Sequence, residues 1–200
     1  MTLTFFPKIF PAALIAASLL LAGCKDAPDA GKPAAAAAST PVSVAAVAAE
    51  AKGFSVGSAV SARTVYVFFD PQCPHCTALW EAAKPLKSQA KFVWIPVGLL
   101  NASSTAQGAT ILAATDPVAA MDEHEMSLTA KRGGISAGSG TDAQKEAVAS
   151  NTALLTRLGF GSIPTIVGTH AETGALVKQE GSVPTAALAS LLGLKVPASL

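Results

Sequence analysis

Two runs of strand-forming residues stand out along the chain, at residues 64–69 and 91–97. The second run is apolar almost throughout, which is typical of a strand buried on both faces. Apolar residues recur at helical spacing between the two runs and predict a helix: Leu79, Trp80, Ala83 and Leu86. Pro85 lacks a backbone donor and should kink or split that helix. The order strand, helix, strand favours a parallel pair joined by a right-handed crossover.

Signals for helix starts and stops follow the second strand and predict a block of helices. They are two spacings typical of capping boxes, one Asp-Pro start and two glycines placed as carboxyl-terminal caps: Ser104 with Gln107, Thr141 with Gln144, Asp116-Pro117, Gly133 and Gly159. The chain then returns to a strand at Ile163-Pro164-Thr165, followed by a hairpin and a last helix. Because proline cannot donate to a strand ladder, Pro164 belongs at a strand start or in a specially shaped loop.

A Cys-Pro-His-Cys motif lies between the first strand and the helix that follows it. Its spacing brings the sulfurs of Cys73 and Cys76 within bonding reach and leaves Cys73 at the rim. Cys73 is therefore the candidate attacking thiol and Cys76 the candidate resolving thiol. The helix start and a protonated His75 both favour a thiolate at Cys73, and Pro74 occupies a position where its missing N–H costs nothing.

Two other interpretations of the motif have less support. A zinc site would need further ligands, but Cys24, His124 and His170 lie far along the chain without paired spacing, so no metal is predicted. A purely structural disulfide across so short a loop would remove little chain entropy. His124 has Leu128 at the position one helical turn on, which predicts that His124 lies on a solvated helix face.

The amino-terminal residues have the pattern of an exported protein. Residues 1–23 carry one charge and then an apolar run too short to cross a membrane comfortably, which predicts a signal peptide. Leu-Ala-Gly-Cys at residues 21–24 resembles the lipobox of bacterial lipoproteins, which implies a lipid anchor on Cys24; an ordinary secretory signal is the alternative. Lys25 favours the outer membrane over the inner one. The domain would then face the periplasm, an oxidising compartment.

Composition divides the remaining chain into a tether and a domain. Residues 24–52 are rich in alanine and proline and predict a flexible tether, with an alanine-rich helix as the alternative for part of it. Residues 53–200 have the pattern of a globular domain, with a short first strand at residues 54–56. Removal of residues 1–23 leaves 13 basic and 13 acidic residues, so the charge implies no nucleic-acid partner.

Taken together, the Cys-Pro-His-Cys turn, the helical block, the Ile-Pro-Thr strand and the last helix resemble the thioredoxin fold. Residues 68–76, Phe-Phe-Asp-Pro-Gln-Cys-Pro-His-Cys, resemble the DsbC/DsbG group of thiol:disulfide interchange proteins. The resemblance implies an α/β fold with a mixed central sheet flanked by helices and a helical insertion before the Ile-Pro-Thr strand. It also implies that Pro164 is cis and lies against the active-site disulfide, and that Ile163 offers backbone hydrogen bonds to a substrate strand.

The resemblance implies disulfide exchange with exported proteins, a membrane redox partner and no cofactor. Three departures qualify it. The tether replaces the amino-terminal dimerisation domain of the group, which predicts a monomer. The Pro-His dipeptide is that of the oxidase DsbA. Val67 stands where thioredoxin carries a buried carboxylate, and whether Asp70 substitutes is open. The alternative function is a non-catalytic envelope lipoprotein with a thioredoxin-like binding module and a static disulfide.

Overall fold

The computed structural model describes residues 41–196 and residue 198. The predicted signal peptide, Cys24 and most of the predicted tether lie outside the described residues. The strands are β1 Phe54–Gly57, β2 Thr64–Phe69, β3 Lys91–Pro96, β4 Thr165–Thr169 and β5 Leu176–Glu180. The helices are α1 Val44–Glu50, α2 Pro74–Ala83, α3 Ala102–Ala113, α4 Pro117–Thr129, α5 Asp142–Arg157 and α6 Thr185–Leu192. None of these helices is long and apolar enough to cross a membrane.

The five strands form one mixed sheet in the order β1-β3-β2-β4-β5. The central strand β2 runs parallel to β3, with Val67 opposite Trp94, and antiparallel to β4, with Val67 opposite Ile166. The outer pairs, β1 with β3 and β4 with β5, are antiparallel. Helices α3, α4 and α5 lie between β3 and β4 in the chain. The predicted α/β fold, with its mixed sheet and helical insertion, is therefore confirmed.

Both faces of the sheet are covered, which explains the nearly continuous apolar runs. Val65, Val67 and Phe69 of β2 pack in one buried cluster with residues of α2 and α6. Phe68 belongs to a second cluster, which contains residues of α1 and α5. Successive side chains of a strand point to opposite faces, so a strand covered on both faces must be apolar at every position.

Aromatic rings fix α2 on the sheet. The ring centroids of Trp80 on α2 and Trp94 on β3 are 4.9 Å apart, and those of Phe69 and Trp94 are 5.6 Å apart, both in edge-to-face arrangements. Such pairs add to the free energy gained by burying the rings. As predicted, α2 ends before Pro85, which lies in a short 3-10 turn at Lys84–Leu86. The start of α2 is thereby held at the end of β2.

Two predicted helix caps differ from the structure. The side chain of Asn101, not Ser104, accepts the hydrogen bond that caps α3, and Ser104 accepts from the backbone N–H of Asn101. Helix α3 therefore begins three residues earlier than a Ser104 cap would place it. Thr141 precedes α5 but makes no capping hydrogen bond with its side chain. Asp116 does cap α4 as predicted, because it accepts from the N–H groups of residues 118 and 119.

The predicted tether ends too late in the chain. Residues 44–50 form α1, which begins at a Ser43 cap and packs into the domain through Val47, a fully buried side chain. Arg157 of α5 also forms an ion pair with Glu50. Alanine has the highest helix propensity, and one valine on the buried face supplies apolar contact with Phe68 and its neighbours. The prediction of a flexible coil is therefore wrong for α1, and the alternative for part of the tether, an alanine-rich helix, describes these residues.

The burial of Val47 gives a direct test of whether α1 belongs to the folded domain. Val47→Ala should lower the free energy of unfolding by about 1 to 3 kcal/mol, because it leaves a cavity in the second cluster. Ala48→Ser, an exposed change in the same helix, is the matched control and should stay within about 0.5 kcal/mol of the parent protein. Urea unfolding measures both. Equal stability of the two variants would contradict the assignment of α1 to the core.

Candidate functional site

The Cys-Pro-His-Cys motif forms the junction between β2 and α2. Cys73 is the residue that precedes the helix, and Pro74 is its first residue. The backbone N–H of Cys73 donates to the carbonyl of Asp70 at 3.0 Å, and the N–H of Cys76 donates to the carbonyl of Cys73 at 2.9 Å. Both cysteines are free thiols. The site residues predicted from the motif are thus adjacent at the start of one helix.

Cys73 is more deeply buried than its predicted place at the rim. Only 4% of its surface is exposed, while Cys76 is fully buried and both Pro74 and His75 are exposed. The loop at Ile163-Pro164 accounts for the difference, because the carbonyl oxygen of Ile163 lies 3.9 Å from the Cys73 sulfur. The peptide bond between Ile163 and Pro164 is cis, as the resemblance implied.

The pKa values of the two thiols are shifted in opposite directions. The pKa of Cys73 is lowered to about 6, chiefly because the Cys76 side chain forms a hydrogen bond with its sulfur. Burial opposes this shift, whereas the backbone N–H groups of residues 75 and 76 and the charge of His75 add to it. Burial raises the pKa of Cys76, and the neighbouring Cys73 sulfur raises it further. The arrangement can therefore hold a thiolate at Cys73 and a protonated thiol at Cys76 near neutral pH.

Asp70 anchors the turn that carries the cysteines. Its carboxylate is fully buried and accepts from the N–H groups of Leu99 and Leu100, at 2.7 and 3.0 Å. It also accepts from the N–H of Gln72 at 2.8 Å and from the hydroxyl of Ser104 at 2.7 Å. These bonds join the end of β2 to the loop after β3 and to the first turn of α3. Asp70 thus has an anchoring role, which the sequence did not indicate.

His124 contacts the same turn, so the prediction that it lies on a solvated face is wrong. The imidazole is fully buried, with Nε2 2.6 Å from the carbonyl oxygen of Pro71. Nδ1 accepts from the N–H of Ile135 at 3.2 Å, which leaves the ring proton on Nε2 as donor. Burial lowers the pKa of His124 and favours this neutral form. Both partners are backbone groups of other segments, so no residue spacing within α4 could indicate them.

A glutamine pair extends this connection to the loop after α4. The Gln107 amide donates to the carbonyl oxygens of Gly133 and Ile135, at 2.8 and 2.9 Å. The Gln72 amide, next to the motif, donates to the Gly133 carbonyl at 3.1 Å and contacts Gln107. Gly134 has φ +90°, and a side chain there would collide with the His124 ring. The helical insertion therefore holds the active-site turn through neutral hydrogen bonds.

Glu125 is a second buried polar group of α4 that the sequence did not indicate. It is 3% exposed, and its Oε2 has no hydrogen-bond partner among the described residues. Burial raises the pKa of Glu125 to about 7. The run Asp-Glu-His-Glu has the composition of a solvated helix face, so the sequence did not indicate that Glu125 is buried.

A small groove opens beside the motif. It has a volume of about 230 Å³ and is lined by residues of the turn, of α2 and of α4: Gln72, Pro74, Thr77, Leu128 and Thr129.

Val67, beneath the motif, is buried and apolar as the sequence indicated. Within residues 41–196, no group of three or more His, Cys, Asp or Glu side chains could hold a metal ion.

The acidity of Cys73 can be measured directly. The absorbance of the thiolate should rise with a midpoint near pH 6, against about 8.5 for an unperturbed thiol. A Cys73→Ser variant provides the baseline, because it retains Cys76 and Cys24. A midpoint near 8.5 would show that the Cys76 thiol and the helix start do not stabilise the thiolate.

Replacement of Asp70 tests its anchoring role. Asp70→Ala leaves the fully buried hydroxyl of Ser104 and the part-buried N–H groups of Leu99 and Leu100 without their acceptor, and an unsatisfied buried group costs about 1 to 3 kcal/mol. We therefore expect a loss of at least about 2 kcal/mol in the free energy of unfolding, measured in urea. Glu172→Ala removes an exposed carboxylate and should have almost no effect. A stable Asp70→Ala variant would contradict the role.

Comparison with known proteins gives two curated relatives of the same kind. A thiol:disulfide interchange protein DsbG from Pseudomonas aeruginosa is 34% identical over 139 residues, which are 68% of this chain and 54% of the relative. The DsbG protein of Escherichia coli is 33% identical over 104 residues, 51% of this chain and 42% of the relative. The chain thus spans about half the length of the curated relatives it matches.

Solved structures share the fold at lower sequence identity. The catalytic domain of Proteus mirabilis ScsC superposes with a TM-score of 0.57 at 17% identity, covering 74% of this chain and 96% of that one. A periplasmic thioredoxin-like protein from Salmonella enterica serovar Typhimurium gives 0.58 at 16% identity, covering 77% of this chain and 97% of that one. A model of the thioredoxin-like domain matches residues 57–194, from the end of β1 to just beyond α6, and on that match the chain belongs to the thioredoxin-like domain family.

Proposed function

We propose that this protein is a thiol:disulfide oxidoreductase that exchanges disulfides with exported proteins through Cys73 and Cys76. The observation that carries the proposal is the placement of Cys73 at the start of α2 with the fully buried Cys76 one turn along, an arrangement that lowers the pKa of Cys73 and raises the pKa of Cys76. A thiolate is the species that attacks a disulfide, and exchange proceeds through a mixed disulfide. The relationship to two DsbG proteins supports the same reaction class.

The chemistry follows from this asymmetry. The Cys73 thiolate attacks one sulfur of a substrate disulfide, forms a mixed disulfide and releases the other substrate sulfur as a thiolate. The Cys76 thiol then loses its proton and attacks the Cys73 sulfur, which releases the second substrate thiolate. The substrate gains two electrons and the motif becomes a disulfide. The reverse sequence oxidises a dithiol substrate, so the redox partner determines the direction.

The residues around the cysteines have separate roles in the proposal. His75, exposed beside Cys73, supplies charge that favours the thiolate, and Pro74 starts α2 at the position where proline fits best. The Ile163-Pro164 loop faces the Cys73 sulfur and would receive an extended segment of substrate through the backbone of Ile163.

We also propose where the protein acts. A lipid anchor at Cys24 would place the domain at the periplasmic face of the envelope, with the outer membrane favoured by Lys25. A related fold from Salmonella enterica is that of a periplasmic protein, which supports this compartment. The proposed partners are thiols and disulfides of exported proteins and a membrane protein that sets the redox state of Cys73. The proposed assembly is a monomer, and no cofactor is required.

One observation favours the alternative function, a binding module with a static disulfide. Only 4% of Cys73 is exposed, so a substrate must displace or pass the Ile163 carbonyl to reach its sulfur. A static pair gains nothing from an acidic Cys73, however, whereas exchange depends on it.

Trapping of mixed disulfides separates the two functions. Cys76→Ala should leave substrate proteins covalently attached to Cys73, because the resolving thiol is absent. Cys73→Ala should trap none, because the remaining Cys76 thiol is fully buried and holds its proton. Both full-length variants are expressed in a bacterial host, and reducible adducts are compared on non-reducing gels. Equal adducts in both variants, or none in either, would contradict the assigned roles and favour the static disulfide.

A further inference from the structure

Glu180, the last residue of β5, has no part in the exchange steps above, yet its carboxylate contacts the loop that faces Cys73. Its Oε2 accepts from the backbone N–H groups of Gly161 and Ser162, at 3.1 and 2.9 Å. The same oxygen accepts from the Ser162 hydroxyl at 2.8 Å. Three donors from two consecutive residues thus converge on one carboxylate oxygen.

Two further hydrogen bonds join this loop to the β4–β5 hairpin. The hydroxyl of Thr165, a fully buried residue, donates to the Ser162 carbonyl at 2.6 Å. The backbone N–H of Gly181 donates to the Pro164 carbonyl at 2.8 Å. Together with the bonds of the carboxylate, these contacts hold the chain on both sides of Ile163.

The segment before Ile163 is held by hydrogen bonds and not by packing. Within residues 41–196, the N–H groups of Gly161 and Ser162 have no acceptor other than Glu180. A side chain at Gly161 would meet no atom within 4 Å, so no neighbouring group packs against the backbone there. The Ile163 side chain does pack against both buried clusters. Glu180 therefore fixes the part of the loop that the core does not reach.

Glu180 is not explained as a partner of a neighbouring cation. It is exposed, and so is Lys178 two residues earlier on β5, but no ion pair among the described residues includes either of them. An exposed carboxylate on an edge strand is ordinarily solvated. Hydrogen bonds to an ionised acceptor are stronger than those between neutral groups. The charge of Glu180 therefore serves the loop.

We propose that Glu180 is a positioning residue, which holds the backbone of Ile163 where an extended segment of the substrate protein binds. The inference rests on the proposed exchange function. The Ile163 carbonyl oxygen lies 3.9 Å from the Cys73 sulfur, so the position of the loop determines how a bound chain can approach the thiolate. A segment bound there brings its disulfide to Cys73.

Glu180 exchanges no proton or electron in this step. The Cys73 thiolate attacks one sulfur of the substrate disulfide, the substrate S–S bond breaks, and a mixed S–S bond forms. The other substrate sulfur leaves as a thiolate. If the loop were not held, a substrate chain would have to order it on binding, and that entropy would weaken the complex. A small disulfide that does not contact the loop would not meet this cost.

The experiment compares full-length Glu180→Ala with Glu172→Ala, a matched control that removes an exposed carboxylate from the turn before β5. Each reduced protein reacts with two probes. One is a short peptide whose central cysteine is joined through a disulfide to mercaptoethanol, and the other is hydroxyethyl disulfide. For Glu180→Ala the rate constant with the peptide should fall about tenfold, the change that corresponds to one lost hydrogen bond. The rate constant with hydroxyethyl disulfide should not fall, and Glu172→Ala should match the parent protein with both probes.

A second variant tests the hydrogen bonds themselves. Glu180→Gln keeps a side-chain oxygen that can accept from the same donors, so it should retain more of the peptide rate than Glu180→Ala. Equal losses in the two variants would overturn the positioning role, because a neutral acceptor would then have no effect.

Two further results would overturn the inference. One is a peptide rate of Glu180→Ala equal to that of the parent protein. The other is an equal fall with both probes, which would show that the variant changes Cys73 itself and not the binding of a chain. Failure of the proposed exchange function looks different, because the parent protein would then react with neither probe and Cys76→Ala would trap no substrate.

Discussion

The hydrogen bonds of the Asp70 carboxylate determine where Cys73 lies. Four donors from three segments converge on this one buried group, and they include both N–H groups of the Leu99-Leu100 pair. They join the turn between β2 and α2 to the loop after β3, and the contacts of His124 and Gln72 join the same turn to the helical insertion. The acidity of Cys73 depends on that position, because the Cys76 thiol and the backbone N–H groups stabilise its charge only at hydrogen-bond distance. Asp70 therefore supports the chemistry by fixing the geometry of the turn, and its charge adds to the rise in the pKa of Cys76.

The sequence predicts the elements that depend on local pattern and fails where distant contacts decide. The strands at residues 64–69 and 91–97, the break at Pro85 and the Asp116 cap agree with the structure, apart from one residue at the end of β3. The burial of His124 and Glu125 could not be predicted from local pattern. Both belong to a run of four charged or polar residues, and only the packing of α4 against α2 and the turn buries them.

Helix α1 is a second case in which local pattern does not indicate burial. Alanine repeats without aromatic residues have the composition of a tether, and local reasoning gives no reason to bury them. Val47 is the one fully buried residue of α1, and Val44 and the Glu50–Arg157 ion pair add to its contacts with the domain. Composition thus indicates whether a segment can form a core of its own, but it does not indicate whether the segment can pack against the core of a neighbouring domain.

The contacts of His124 and the glutamine pair have a consequence for how the site responds to ionic strength. They join neutral groups, so dissolved salt does not screen them, whereas the charge of His75 lies at the surface and is screened. The Asp70 carboxylate is charged but fully buried, where salt screens little, so the position of Cys73 should be the same in dilute and in concentrated salt. Only the part of the pKa shift of Cys73 that comes from the exposed charge of His75 should vary with salt. The geometry of the site and its electrostatics therefore respond differently to ionic strength.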